Sequence, residues 1–403
     1  MRVTIKPSRA KGTVKAPPSK SIAHRMLIAG ALSEGESVIH GISLSQDIKA
    51  TLRCLAALGA EYTLDGDTVR IGKCKPSAVK KKVILDCGES GSTLRFLLPL
   101  CLLSGKEAVL TGSPTLLSRP LEVYSRLCAS QNIEYRHEAD GIHVCGVLKP
   151  GDFKIPGNVS SQFVSGLLFA LPLLGKPSTI TISAPIESVP YIELTLQALS
   201  RFGVSAQWSG ERTISVGKSR YTSLETTVEG DYSNAAFFEA LNILGGDVTI
   251  EGLDPDSKQG DKVYKKMFPL LAAGTPSLHF GDCIDLAPIC FALSAALHGG
   301  VFNGTRRLAI KESDRANSMA EELRKFGARV TVNEDSVIVL PQAFHAPDGI
   351  LDSHNDHRIV MSLSVLLTLV GGTIDNAEAV SKSFPGFFDE LSSLGIEVEY
   401  END

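Results

Sequence analysis

Lysine, arginine, serine, glycine and carboxylate residues gather in this chain at one kind of place, the residues that open an apolar segment. Ser19-Lys20-Ser21 stands before the apolar stretch 22–32, and Gly88-Glu89-Ser90-Gly91-Ser92-Thr93 opens 93–103. Ser160-Ser161-Gln162 precedes 163–174, and Asp231, Ser233 and Asn234 precede 235–244. Asp282 and Asp285 precede 286–297, and Asn355-Asp356-His357-Arg358 precedes 359–370. Ser, Asp and Asn at a helix start are ordinary caps. Glycine and paired hydroxyls beside Lys or Arg point further: helix-start N–H groups and the helix dipole favour an anion, and a neighbouring cation strengthens the site. Such cations are Lys20 and Arg25, Arg119 before Pro120, Lys311 and Arg315 around Glu312, Arg358, and Lys382. A cation at a helix start opposes the dipole, so its placement costs stability and a function is the fair explanation. Two acid–base groups stand among them. Lys311-Glu312 sets an amine beside a carboxylate. Asp285 opens an apolar helix, where burial would raise its pKa or a nearby lysine would hold it ionised. The plainer readings make Asp285 an N-cap and Glu312 a first-turn carboxylate facing the dipole.

The elements that must position these groups repeat. An amphipathic helix ending in Gly and followed by an alternating strand occurs at 51–62 (TLRCLAALGAEY), 196–207 (LQALSRFGVSAQ), 323–332 (LRKFGARVTV) and 391–399 (LSSLGIEVE). Weaker copies lie at 127–135, with Asn132 in place of Gly, and at 270–274. Gly is the expected left-handed residue after a helix, and Asn its usual substitute. The six apolar segments are hydrophobic on every side, which predicts helices buried on every side. Together these signals predict a unit of strand, buried helix, strand, amphipathic helix and two strands, about six times over, at a period too long for a solenoid. Breaks in the pattern at Pro17-Pro18 and around 226–230 are candidate domain boundaries.

Bulk properties remove whole classes. A chain of 403 residues exceeds one ordinary core and predicts two domains. A net charge of −5 argues against nucleic-acid or membrane-surface binding, so positive charge for an anion must be local. The eight cysteines form no C-x-x-C pair, which predicts reduced, mostly buried thiols and a cytoplasmic protein. No secretory leader is expected, and the longest apolar run is too short to span a bilayer. No P-loop, H-E-x-x-H, G-x-S-x-G or dinucleotide fingerprint occurs, so hydrolytic, metal-dependent and redox chemistries lose weight.

Eight motifs then stand in a recognisable order. They are PSKSIAHR (18–25), GESGSTLR (88–95), LLSRPL (116–121), SSQF (160–163), SVPYIELT (188–195), KESDR (311–315), NDHR (355–358) and SKSFPGF (381–387). In this the chain resembles the 5-enolpyruvylshikimate-3-phosphate synthase family. The resemblance implies an α/β fold of two similar domains, each of three βαβαββ units with buried parallel helices, an inside-out α/β barrel. The domains would comprise 1–17 plus 229–403, and 18–228, with the active site in the cleft where they hinge shut. The implied reaction moves the enolpyruvyl group of phosphoenolpyruvate onto the 5-hydroxyl of shikimate 3-phosphate and releases phosphate, with no metal, no cofactor and no covalent enzyme intermediate.

By the same resemblance, shikimate 3-phosphate would be held by Lys20, Ser21, Arg25, Ser160, Ser161, Gln162, Ser188, Tyr191, Asp285, Arg307 and Lys311. Phosphoenolpyruvate would be held by Lys20, Gly91, Arg119, Gln162, Arg315, Arg358 and Lys382. Asp285, Glu312, Lys311 and Lys20 would carry the chemistry, with Asp285 the base for the hydroxyl and Glu312 handling the proton at the methylene carbon. The chain would act as a cytoplasmic monomer, without nucleic-acid or membrane partners. It departs from the family at Pro18, where Gly is common, at Glu89, where Asn is common, and at Arg307, where many members carry Asn beside the shikimate phosphate. Two other readings compete. One is the related transferase acting on UDP-N-acetylglucosamine, which usually carries a loop Cys and a Lys-Asn motif; here Lys20-Ser21 stands instead, and no Cys lies at the equivalent place near Arg119. The other is an anion-binding module without turnover, against which Asp285, Lys311 and Glu312 argue.

Overall fold

Four of the six apolar helices begin at a side chain that caps them, whereas the fifth begins at Ala287, after Asp285, and is not capped by it. The computed structural model describes residues 1–340 and 342–401, and in it the six apolar segments are helices: Lys20–Leu32, Gly91–Cys101, Ser161–Ala170, Tyr232–Ile243, Ala287–Ala296 and His357–Val370. Ser90, Ser160, Asp231 and Asp356 each accept a backbone N–H of the turn they open. Burial reaches all faces: in the last of these helices every residue from His357 to Thr368 is buried. Such helices gain their stability from burial on every face, with each Leu, Ile or Phe side chain contributing roughly 1.5–3 kcal/mol.

The strands follow one plan. Val83–Asp86 pairs in parallel with Ala108–Thr111, which pairs antiparallel with Gly141–Cys145, which pairs antiparallel with Glu134–Glu138. Between these strands run the buried helix Gly91–Cys101 and the amphipathic helix Glu122–Ser130. The same order of first, second, fourth and third strand recurs in five four-stranded sheets. The amphipathic helices end as expected at Gly59, Gly203, Gly327 and Gly395, with φ of 93°, 77°, 86° and 82°, and at Asn132, with φ of 55°.

Three details depart from the sequence expectation. The unit around Tyr232–Ile243 has no hairpin among the described residues; its sheet is the parallel pair Lys11–Lys15 and Asp247–Glu251. Its amphipathic helix Tyr264–Ala273 ends at Gly274 with φ of 170°, extended and not left-handed. Two sheets are also completed from afar: Glu225–Thr227 supplies the first strand beside Ser37–His40, and Arg2–Ile5 the last strand between Gly372–Asp375 and Val398–Glu401.

The chain forms two compact units, one of Met1–Pro17 with Gly230–Asp403 and one of Pro18–Glu229. Each has its own apolar core. In the Pro18–Glu229 unit the helices Gly91–Cys101 and Ser161–Ala170 approach closely at Gly166, where an added Cβ would collide with the Arg95 carbonyl and the Tyr124 hydroxyl. In the other unit Ala287–Ala296 packs on His357–Val370. All eight cysteines are without disulfides and seven are buried; burial pushes the Cys74 thiol up to about 12.

Candidate active site

In the Pro18–Glu229 unit, the openings of four helices carry the expected groups. Lys20 begins the Lys20–Leu32 helix, and its Nζ donates to Asp47 Oδ2 at 3.0 Å. One and a half turns on, Arg25 is buried across the Phe96 ring. Its Nε donates to Thr195 Oγ1 (2.8 Å), Nη1 to the Ser21 carbonyl (2.6 Å) and Nη2 to the Tyr191 carbonyl (2.9 Å). Burial lowers the Arg25 pKa to about 10, still charged at neutral pH. Ser188, before the helix Val189–Arg201, takes a left-handed φ of 60°, a conformation costly for a residue with Cβ.

Gly91 marks the focus of this set. A Cβ placed there would lie 3.0 Å from Arg119 Nη1, 3.1 Å from Arg95 Nη1 and 3.8 Å from Gln162 Oε1. Arg95 Nη1 donates to Gln162 Oε1 (2.7 Å), and Gln162 Nε2 donates to Ser92 Oγ (2.9 Å). Ser160 caps the Ser161–Ala170 helix by accepting from the Gln162 N–H at 3.2 Å. Arg119 Nε is buried and finds no hydrogen-bond partner among the described residues. Two guanidinium groups, an amide and a helix start without a side chain at Gly91 thus meet, the kind of donor set that an anion requires.

The other unit builds a denser network. Arg315, 1 % exposed, opens the helix Arg315–Lys325 and reaches three carboxylates. Its Nε donates to Asp356 Oδ2 (2.8 Å), Nη1 to Asp285 Oδ1 (2.7 Å), and Nη2 to Glu312 Oε2 (2.6 Å) and Asp356 Oδ1 (3.3 Å). Lys311 Nζ donates to Asp285 Oδ1 at 3.2 Å. Arg358 Nη2 lies 3.7 Å from Asp285 Oδ2, while its buried Nε and Nη1 have no hydrogen-bond partner among the described residues. Lys382 Nζ donates to the Asn355 carbonyl (2.6 Å), and Arg307 Nη2 to the Gly281 carbonyl (2.5 Å).

Burial and charge compete at these groups. Burial alone would raise the Asp285 pKa, but Lys311, Arg358 and Arg315 outweigh it and hold the carboxyl well below its usual range. Burial lowers the Lys311 pKa, with Asp285 opposing. Asp261, buried and hydrogen-bonded to Ser233, is pushed up to about 7 by burial and then by the Asp285 charge. Asp285 therefore stays an ionised acceptor, and Lys311 is an amine that gives up its proton more readily than an exposed lysine.

Of the residues expected from sequence, Gly91, Arg119 and Gln162 come together in one unit, and Asp285, Lys311, Glu312, Arg315 and Arg358 in the other. Arg25 bonds the Ser21 and Tyr191 carbonyls, so those three form a second group. Four partners were missed: Asp47, Arg95, Asp261 and Asp356. Asp356 and Arg95 lie inside motifs already singled out, and a second charge there was the available signal. Asp47 and Asp261 are isolated in sequence and gave none. Two further His–carboxylate clusters, Glu138/Asp140/His143 and Glu321/Glu322/His354, have the donor types of a metal site. Both are already closed by internal hydrogen bonds or ion pairs.

The family model for EPSP synthase (3-phosphoshikimate 1-carboxyvinyltransferase) matches residues 5–273 and 277–391. The chain belongs to the EPSP synthase family. It is 39% identical to the 3-phosphoshikimate 1-carboxyvinyltransferase of Clostridium kluyveri and 38% identical to that of Clostridium acetobutylicum, each over 98% of both chains. The EPSP synthase structure from Acinetobacter baumannii superposes with a TM-score of 0.78 at 25% identity, covering 99% of this chain and 100% of that one. The family's two-domain enolpyruvyl transferase fold is therefore the fold of this chain. Among the described residues no helix is long and apolar enough to cross a membrane.

Proposed function

We propose that this chain transfers the enolpyruvyl group of phosphoenolpyruvate to the 5-hydroxyl of shikimate 3-phosphate, releasing phosphate, as a step of aromatic amino-acid biosynthesis. Membership of the family supports this reading, and one observation in the structure carries it. Asp285, Glu312 and Lys311 are held within one hydrogen-bonded network by Arg315, beside an Arg358 whose Nε and Nη1 are unsatisfied. That arrangement offers a fixed acceptor, a fixed carboxyl and a cation with donors to spare.

The reaction needs three proton movements. The methylene carbon of phosphoenolpyruvate gains a proton, the 5-hydroxyl loses one as its oxygen bonds to the adjacent carbon, and a methyl proton leaves as phosphate departs. Asp285, kept ionised by its cations, accepts the hydroxyl hydrogen bond and its proton as the C–O bond forms. Glu312, with Lys311 nearby, delivers and recovers the proton at the methylene carbon. Arg358 and Lys382 hold phosphoenolpyruvate. Arg315 spends four hydrogen bonds on the carboxylates and so aligns them, with one of its five N–H groups left for the substrate.

The other unit supplies the remaining charge. Lys20, Gly91, Arg119 and Gln162 bind phosphoenolpyruvate, Arg25, Ser21, Ser160, Ser161, Ser188 and Tyr191 bind shikimate 3-phosphate together with Lys20 and Gln162, and Lys20 also takes part in the chemistry. Arg307 stands at the shikimate phosphate as a charge where many relatives have an amide. The protein acts in the cytoplasm as a monomer, and sedimentation of the purified chain checks the oligomeric state.

Phosphate release from phosphoenolpyruvate, measured with and without shikimate 3-phosphate, tests the assignment. Release is expected only with both present and not with UDP-N-acetylglucosamine. No release with both, or release with the UDP-sugar, overturns it.

A further inference from the structure

Two left-handed residues in succession, His354 (φ 50°) and Asn355 (φ 53°), stand just before the helix that carries Arg358. Neither is glycine, and such backbone persists only where its surroundings hold it. Here a closed set of hydrogen bonds does so. The His354 N–H donates to Asp352 Oδ1 (2.7 Å) and the Asn355 N–H to Ser353 Oγ (3.1 Å). Ser353 Oγ donates to the Asn376 carbonyl (2.8 Å), and Asn376 Nδ2 to Asp352 Oδ1 (3.3 Å). Behind the turn lies Glu322, a fully buried carboxylate on the Arg315–Lys325 helix. It accepts from the Asp352 N–H at 3.0 Å, from Lys325 Nζ at 3.0 and 2.9 Å, and pairs with His354 Nε2 at 3.0 Å.

The front of the turn faces the candidate site. The Asn355 carbonyl receives Lys382 Nζ at 2.6 Å, and the next residue, Asp356, binds Arg315 and caps the helix at the Arg358 N–H. One buried carboxylate and one imidazole therefore stand directly behind the backbone that aims two cations.

We propose that Glu322 and His354 are positioning residues: they lock the left-handed turn, and through it place Lys382 and Arg358 for the phosphoenolpyruvate end of the reaction. The proposal rests on the function proposed above. The charged groups facing His354 are Glu322 and Glu321 on the helix behind it and Asp352 at the end of the strand before the turn, with Lys325 also bonded to Glu322. The Glu322 hydrogen bond, set against partial burial, raises the imidazole pKa. A histidine raised in this way contributes fully below about 6.5 and loses that contribution as pH climbs through its folded value, so the lock loosens on the alkaline side.

His354→Ala, with His354→Gln as the conservative variant, tests this beside the wild type. Expected are an unchanged melting temperature within a few degrees, a KM for phosphoenolpyruvate raised about tenfold, a KM for shikimate 3-phosphate within twofold, and partial rescue in His354→Gln. The wild-type KM for phosphoenolpyruvate should rise above neutral pH and that of His354→Ala should not. Equal changes in both KM values, or none, overturn the proposal. If the wild type itself releases no phosphate, the function reading fails instead. Amide hydrogen exchange of residues 354–358 then decides the lock: faster exchange in His354→Ala supports it, and unchanged exchange overturns it.

Discussion

Arg25 and Arg315 are both buried arginines near the start of a helix, one in each unit, and their partners differ in kind. Arg315 is bound by three carboxylates, Asp285, Glu312 and Asp356. Arg25 is bound by a threonine hydroxyl and two backbone carbonyls. The consequences run in opposite directions: the carboxylates raise the Arg315 pKa well above its usual value despite burial, whereas burial lowers that of Arg25 to about 10. Around Arg315 charge is largely cancelled and the product is geometry, with acids and bases held in fixed relation. The bonds to Arg25 come from neutral groups, so its positive charge remains for a ligand. Under the proposed function the Arg315 unit carries the proton-moving groups, together with Arg358 and Lys382 for phosphoenolpyruvate, and the Arg25 unit contributes further anion-binding groups.

The largest expected effect breaks the proton side. Glu312→Gln and Asp285→Asn should each lower kcat by about 10²–10⁴-fold, with both KM values within about threefold in steady-state kinetics. Losses seen in KM alone would dissolve the distinction between the units. On the anion side, Arg119→Ala should lower kcat/KM roughly a hundredfold, mostly through the KM for phosphoenolpyruvate, with the circular-dichroism melt preserved. A smaller effect sharpens the placement at Gly91. A Cβ there would sit 3.0 Å from Arg119 Nη1, so Gly91→Ala should raise the KM for phosphoenolpyruvate about tenfold and that for shikimate 3-phosphate by twofold at most. Equal effects on both substrates would contradict it.

Asp261 gives the smallest effect and a signed one. Its folded pKa of about 7 lies above the unfolded carboxylate value, so the folded state keeps the proton longer. The protein therefore loses stability as pH rises from about 4 to about 7 on this group's account, with no further loss above. Asp261→Asn should be neutral near pH 4 and stabilising by the order of 2 kcal/mol above pH 7 in denaturant titrations. A constant difference across that range would remove Asp261 from the ionised network.

The sequence carries the local part of this architecture. Ser90, Ser160, Asp231 and Asp356 announce helix starts because a capping side chain answers the N–H groups of its own first turn. Gly59, Gly203, Gly327 and Gly395 announce helix ends because the left-handed residue is local too. Pairing between distant segments is not legible in that way. Arg2–Ile5 completes a sheet with Gly372–Asp375, and Glu225–Thr227 one with Ser37–His40, from positions far along the chain. Arg95 stands as a lone charge in a segment read as apolar on every side until Gln162, 67 residues away, is placed against it. Asp47 and Asp261 acquire meaning only from Lys20 and from Ser233 and Asp285, which the fold brings beside them. Among the described residues no hairpin follows Tyr264–Ala273, and the weakness of the 270–274 repeat did not by itself specify that.

The division of labour is tested most directly by hydrogen exchange at the methylene carbon of phosphoenolpyruvate, followed by NMR in deuterated water with shikimate 3-phosphate present. At saturating substrates the wild type and Arg119→Ala should both incorporate deuterium, and Glu312→Gln should not. Persistent incorporation in Glu312→Gln, or its loss in saturated Arg119→Ala, would contradict the account.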